Sequence, residues 1–134
     1  MTDLWGDIPE KPIKTPVSIL REQGSILEKK TSGILTVSIP TSQSGGGNDA
    51  RFTHHFVINA PSLNYTYQLF SIYHTIALFP VTFVVENEMF SSSNGSKTVN
   101  NEKEFLEILG QILQSPKTQN ILHALLSQTA VVTV

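Results

Sequence analysis

Three runs rich in β-branched and aromatic residues, at 52–60, 65–75 and 79–86, are separated only by Pro61-Ser62-Leu63-Asn64 and Ile76-Ala77-Leu78. Links this short cannot carry the crossover that a parallel pair needs, so neighbouring runs must return antiparallel. A further run at 34–39 alternates Leu35, Val37 and Ile39 with Thr36 and Ser38, the period of a half-buried strand. The centre of the chain is therefore expected to be a four-stranded antiparallel meander.

Helical patterns flank it. Thr15-Pro16 is a start signal, because a hydroxyl can cap an orphan backbone N–H and a proline in the first turn forfeits no helical hydrogen bond. Val17, Leu20, Ile26 and Leu27, joined by Ile19, keep a helical stripe to about Thr31, Lys29 and Lys30 suit the last turn, and Gly33 supplies the left-handed stop. After the strands, residues 91–101 are polar and carry Asn94-Gly95, which reads as a loop. Asn100 or Asn101 then caps a helix over 102–114 with Phe105, Ile108, Leu109, Ile112 and Leu113 on one side. Ser115-Pro116 interrupts it, and a second short helix resumes over 118–127. The uncharged stretch 129–134 has strand composition and is expected to add a short strand.

The expected fold class is α+β: an N-terminal helix, the meander, and two C-terminal helices packed on one face of the sheet in two layers. Its 134 residues suit one domain, taken as 15–134, behind an extended arm at 1–14 with Pro9, Pro12 and no periodicity. Trp5 is expected to anchor that arm in a groove, since a lone indole rarely stays exposed.

Uniform alternation along each strand sorts the sheet into two faces. Leu35, Val37, Ile39, Phe52, Phe56, Ile58, Tyr67, Leu69, Tyr73, Val81, Phe83 and Val85 would form the core side. The second side would carry His55, Val57, Gln68, Phe70, Ile72, His74, Thr82, Val84 and Glu86, together with Thr36, Ser38 and Thr53. With Val57, Phe70, Ile72 and Val84 close together, that side reads as an interaction surface, for a homodimer or another protein, unless the Trp5 arm lies across it.

Chemistry is sparsely encoded. With no cysteine there is no disulfide, thiolate metal site or thiol nucleophile, and no cofactor or metal is expected. Nine Lys and Arg against eleven Asp and Glu, scattered, provide no positive stripe for nucleic acid. No apolar stretch is long enough to span a membrane and no export signal is visible, which points to the cytoplasm. Gly45-Gly46-Gly47 lacks the Lys and the following helix of a phosphate loop. Adjacent His54 and His55 point to opposite faces, His123 lacks a metal-helix partner, and Ser91, Ser92 and Ser93 lack a nucleophile elbow. Glu86 and Glu88 read as solvated acids at a strand end.

The leading expectation is a small protein-interaction module, such as an adaptor or a toxin-neutralising partner, acting through the second face of its sheet. A ligand-binding protein or enzyme using His55, His74 and Glu86 in a cleft on that face is one alternative. A structural component of a larger assembly is another.

Overall fold

The computed structural model describes residues 2–8, 14–85 and 95–132. Helix α1 spans Pro16–Lys30, and Thr15 caps it, its hydroxyl oxygen accepting from the Ser18 amide at 3.2 Å. Lys29 and Lys30 close its last turn and Gly33 follows at φ +79°, so both expected termini are present. Thr31 binds the helix to the sheet: its Oγ1 donates to the Leu27 carbonyl at 3.0 Å and accepts from the Leu35 amide at 3.2 Å.

Six strands follow among the described residues: β1 (Thr36–Ser38), β2 (Thr41–Ser44), β3 (Arg51–Ala60), β4 (Tyr65–His74), β5 (Val81–Val84) and β6 (Ser96–Val99). All pair antiparallel in the order β1-β3-β4-β5-β6, with β2 lying beside β1 along the same edge of β3. The expected meander is thus present, with two additions. Residues 41–44, just ahead of Gly45-Gly46-Gly47, continue the edge beyond Pro40, whose carbonyl still accepts from the His55 amide at 3.0 Å. Proline is tolerated there because an edge strand can spare an N–H. Residues 96–99, read as loop, form the opposite edge, and their Ser-Lys-Thr-Val pattern suits a strand with little to bury.

Helix α2 spans Glu102–Leu113 and is capped by Asn101, whose side chain accepts from the Glu104 amide. Helix α3 spans Pro116–Val132. Ser115 and Thr118 build the corner between them: Ser115 Oγ accepts from the Thr118 amide at 3.3 Å, and Thr118 Oγ1 donates to the Ile112 carbonyl at 2.7 Å. Of the stretch 129–134 expected to add a short strand, residues 129–132 instead continue α3, and 133–134 lie outside the described residues. The reason is tertiary: Thr118, Leu125 and Thr129 are buried at helical spacing, and that stripe outweighs the strand preference of valine and threonine.

The structure is therefore α+β, with α1 and the α2–α3 pair layered on one side of an antiparallel sheet. Phe56, Phe70, Phe83 and Phe105 form a continuous aromatic ladder from β3 to α2, successive ring centroids being 5.0, 5.8 and 5.0 Å apart. Where α1 crosses β1 the two backbones approach closely at Gly24, and a Cβ there would sit 2.9 Å from Val37 Cβ. Gly24→Ala is accordingly expected to lower stability, because crowding of about 1–3 kcal/mol exceeds the gain of about 1 kcal/mol in helix propensity. A thermal melt reads the sign, and an unchanged or raised midpoint would contradict the close packing.

Candidate functional site

Where side chains point is decided by one irregularity. Phe56 on β3 faces Phe70 on β4, yet the next residue, Val57, faces Gln68, so Leu69 is the extra residue of a β-bulge. Up to the bulge, Tyr67 shares the core side with Ile58. Beyond it the parity of β4 reverses, and Phe70, Ile72 and His74 share the core side with Phe56, His54 and Phe52.

Three expected members of the second face are thereby misplaced. Phe70 is 2% exposed, Ile72 0% and His74 7%, all on the core side. Tyr73, expected in the core, turns outward instead, and the Arg51 guanidinium lies 3.5 Å from its ring centre. Of the anticipated set, His55, Val57, Gln68, Thr82 and Val84 remain on the second face, while Glu86 lies outside the described residues. With two of its four apolar members gone, the patch expected there dissolves.

What remains is a hydroxyl-rich surface that bonds to itself. Thr82 and Thr98 hydroxyls are 2.9 Å apart, and Asn59 Nδ2 donates to Ser38 Oγ at 3.3 Å. Gln68 Nε2 donates to Ser71 Oγ at 3.0 Å, which leaves the Ser71 proton for His55 Nδ1 at 2.7 Å. A Ser–His contact is half of a nucleophilic site. Here it sits in the middle of a flat sheet, where backbone N–H groups are spent on the ladder and cannot converge on an oxyanion. These side chains act as cross-strand glue.

His54 and His74, on the other side, form a second cluster. Their Nε2 atoms are 3.0 Å apart and the rings stack, both nearly buried. The Thr75 carbonyl, 2.7 Å from His74 Nδ1, can only accept, so His74 donates there and offers Nε2 as an acceptor. His54 must then donate through Nε2, which leaves its Nδ1 to accept from Thr41 Oγ1 at 2.8 Å. The chain Thr41, His54, His74, Thr75 is complete with both rings neutral. Burial, reinforced by His74, Arg21 and His55, lowers the His54 pKa from 6.5 to about 4. A base that weak is poorly matched to chemistry near neutrality.

The acid–base pair expected from His55 and His74 cannot assemble, since the two rings occupy opposite faces. Sequence pattern alone could not have found the His54–His74 pair, because only the bulge brings both to one side. Among the described residues no group of three or more His, Cys, Asp or Glu converges to hold a metal. No helix among them is long and apolar enough to cross a membrane.

Among the concave sites that the helices line, the one with most helix residues in its walls lies between all three. A cleft of ≈ 480 Å³ runs between α1 and the α2–α3 pair, floored by Phe56, Ile58 and Leu69 and walled by Ile26, Leu27, Leu106, Leu113 and Leu122. Glutamines 23, 114 and 119 rim it, and among the described residues Lys30 is the single charged one in its lining. Ile26 and Leu106 are 43% and 47% exposed, which leaves apolar wall facing water. Gly110 also lines it, and a Cβ added there would meet nothing nearer than Gln114 Nε2 at 3.8 Å. The anticipated anchor Trp5 does not fill this cleft or cover the sheet, as it is 82% exposed.

With this geometry in hand, comparison with family models, curated proteins and solved structures finds no match to the chain.

Proposed function

We propose that the protein is a non-catalytic interaction module and that the cleft between α1 and the α2–α3 pair, rather than the open sheet face, is where it recognises an apolar segment carrying carboxylates. The observation that carries this reading is Gly110. A glycine inside a helix costs about 0.5–1 kcal/mol relative to alanine. Gly24 is required by close packing on Val37, whereas a Cβ at Gly110 would meet only the end of the Gln114 side chain, at an ordinary contact distance of 3.8 Å. The fold gains nothing from that glycine, but a guest pressed against α2 does.

The cleft volume falls in the range of small-ligand pockets, about 300–1,000 Å³. Its apolar walls select the body of the guest and Lys30 selects the sign of its charge. An apolar anion is therefore the appropriate probe. Anilinonaphthalene sulfonate is expected to bind the folded chain at low protein concentration with enhanced emission. Gly110→Phe, which plugs the cleft, should abolish the signal while the far-UV spectrum is retained, and Lys30→Glu should weaken binding by up to about fivefold. Undiminished binding by the Gly110→Phe chain, or none by the unaltered protein, would overturn the assignment.

A further inference from the structure

We infer that the segment received by the cleft is residues 3–8 of a second copy of this chain, so that two copies pair by placing each arm in the other's cleft. The inference rests on the cleft being a recognition site, as proposed above. Three large apolar side chains are grouped in this segment and left in water, with Leu4 89% exposed, Trp5 82% and Ile8 66%. Isolated exposure of one such residue is ordinary, but three within five positions form a patch that needs a partner surface.

Charge assigns the partner surface. Residues 3–8 carry Asp3 and Asp7 and no cation, while the charge that the described residues bring to the cleft is that of Lys30. Local structure also readies the segment: Asp3 Oδ1 accepts from the Trp5 amide at 2.9 Å and Gly6 sits at φ +66°, so the arm holds a turn. Less ordering entropy is then lost on docking. In the single chain the arm stands away from its own cleft, leaving both apolar surfaces exposed together. Reciprocal exchange covers both at once and closes on a two-fold axis, so association stops at two copies.

Trp5 is the only tryptophan, which makes its fluorescence a direct report on the arm. Sedimentation and Trp5 emission are to be followed together over a dilution series of the full chain. The expected result is a dimer with blue-shifted emission that reverts to a monomer with solvent-exposed emission on dilution. Trp5→Ser, read by sedimentation, and Gly110→Phe, read by both, should each weaken pairing by at least about tenfold, as expected for an aromatic anchor and its pocket. Leu4→Ser and Leu106→Glu provide independent changes on the two sides should either variant fold poorly.

A chain that stays monomeric with exposed Trp5 at every concentration overturns the inference. A monomer with shielded Trp5 places the arm in its own cleft and overturns the second copy as occupant. A dimer indifferent to Trp5→Ser removes the arm from the interface. Sulfonate-dye binding by the Trp5→Ser chain separates the two levels: if the dye binds and the full chain never pairs, only the arm assignment falls, whereas absence of dye binding removes the cleft itself.

Discussion

Phe70→Glu is expected to unfold the domain rather than release a folded monomer from an interface. Phe70 is 2% exposed and stands between Phe56 and Phe83 in the aromatic ladder. Truncating a buried aromatic costs about 3–5 kcal/mol. A carboxylate with no partner in that position adds several kcal/mol more. Together these rival the whole stability of a typical domain, about 5–15 kcal/mol.

Far-UV circular dichroism and urea denaturation measure the effect, and two companion variants give it a scale. Phe70→Leu keeps the site apolar and should fold with stability reduced by about 1–3 kcal/mol. Val84→Glu lies on the open face and should change stability by no more than about 0.5 kcal/mol. A Phe70→Glu chain that folded normally would return Phe70 to the exposed face and remove the bulge-based assignment.

Acidification should weaken the fold through His54. Its pKa is about 4 in the folded chain, below the ordinary 6.5. Between these values the unfolded chain binds more protons, so stability falls as pH drops. The contribution is fully present above pH 6.5, declines through the window from 6.5 to about 4, and does not fall further once the folded chain also protonates. At about 1.4 kcal/mol for each pH unit, the loss is about 3 kcal/mol.

Burial sets this sign, and the groups facing His54 reinforce it. His74 Nε2 lies 3.0 Å away on β4, and Arg21 on α1 and His55 on the same strand also disfavour a proton on His54. A proton on His54 must enter a buried site beside two further imidazoles and a guanidinium. Urea midpoints at about pH 7.5 and about pH 4.5 would show the loss, and His54→Gln should remove most of it. An equally steep pH dependence in that variant would mean that the proton goes elsewhere.

The helix caps were legible from local chemistry. Thr15-Pro16 and Asn101 work as caps because capping requires only a side-chain oxygen next to orphan amides, an interaction within four residues. The meander was equally legible, since links as short as 61–64 force an antiparallel return. Residues 129–132 were misread for the opposite reason: valine and threonine favour strands in isolation, and only burial of Leu125 and Thr129 against the rest of the domain makes the helix win. The edge strands β2 and β6 were missed because strands that bury little carry little apolar pattern.

The candidate site was the least legible part. His55 on β3 was grouped with Phe70, Ile72 and His74 by uniform alternation along β4, and one extra residue at Leu69 separates them onto two faces. The cleft has no linear signature, because its walls come from α1, α2 and α3 and its floor from β3 and β4. Gly110 lines that cleft, a position that no pattern along α2 marks.

By itself the sequence determined the class of the fold, the two cap-defined helix starts and the antiparallel order of the strands, because each follows from interactions between residues close along the chain. Tertiary structure decided which face each β4 side chain serves, where the open cleft lies and that the arm stays exposed. A bulge shifts parity without leaving a mark in composition, and a cleft exists only in the spacing between elements distant in sequence.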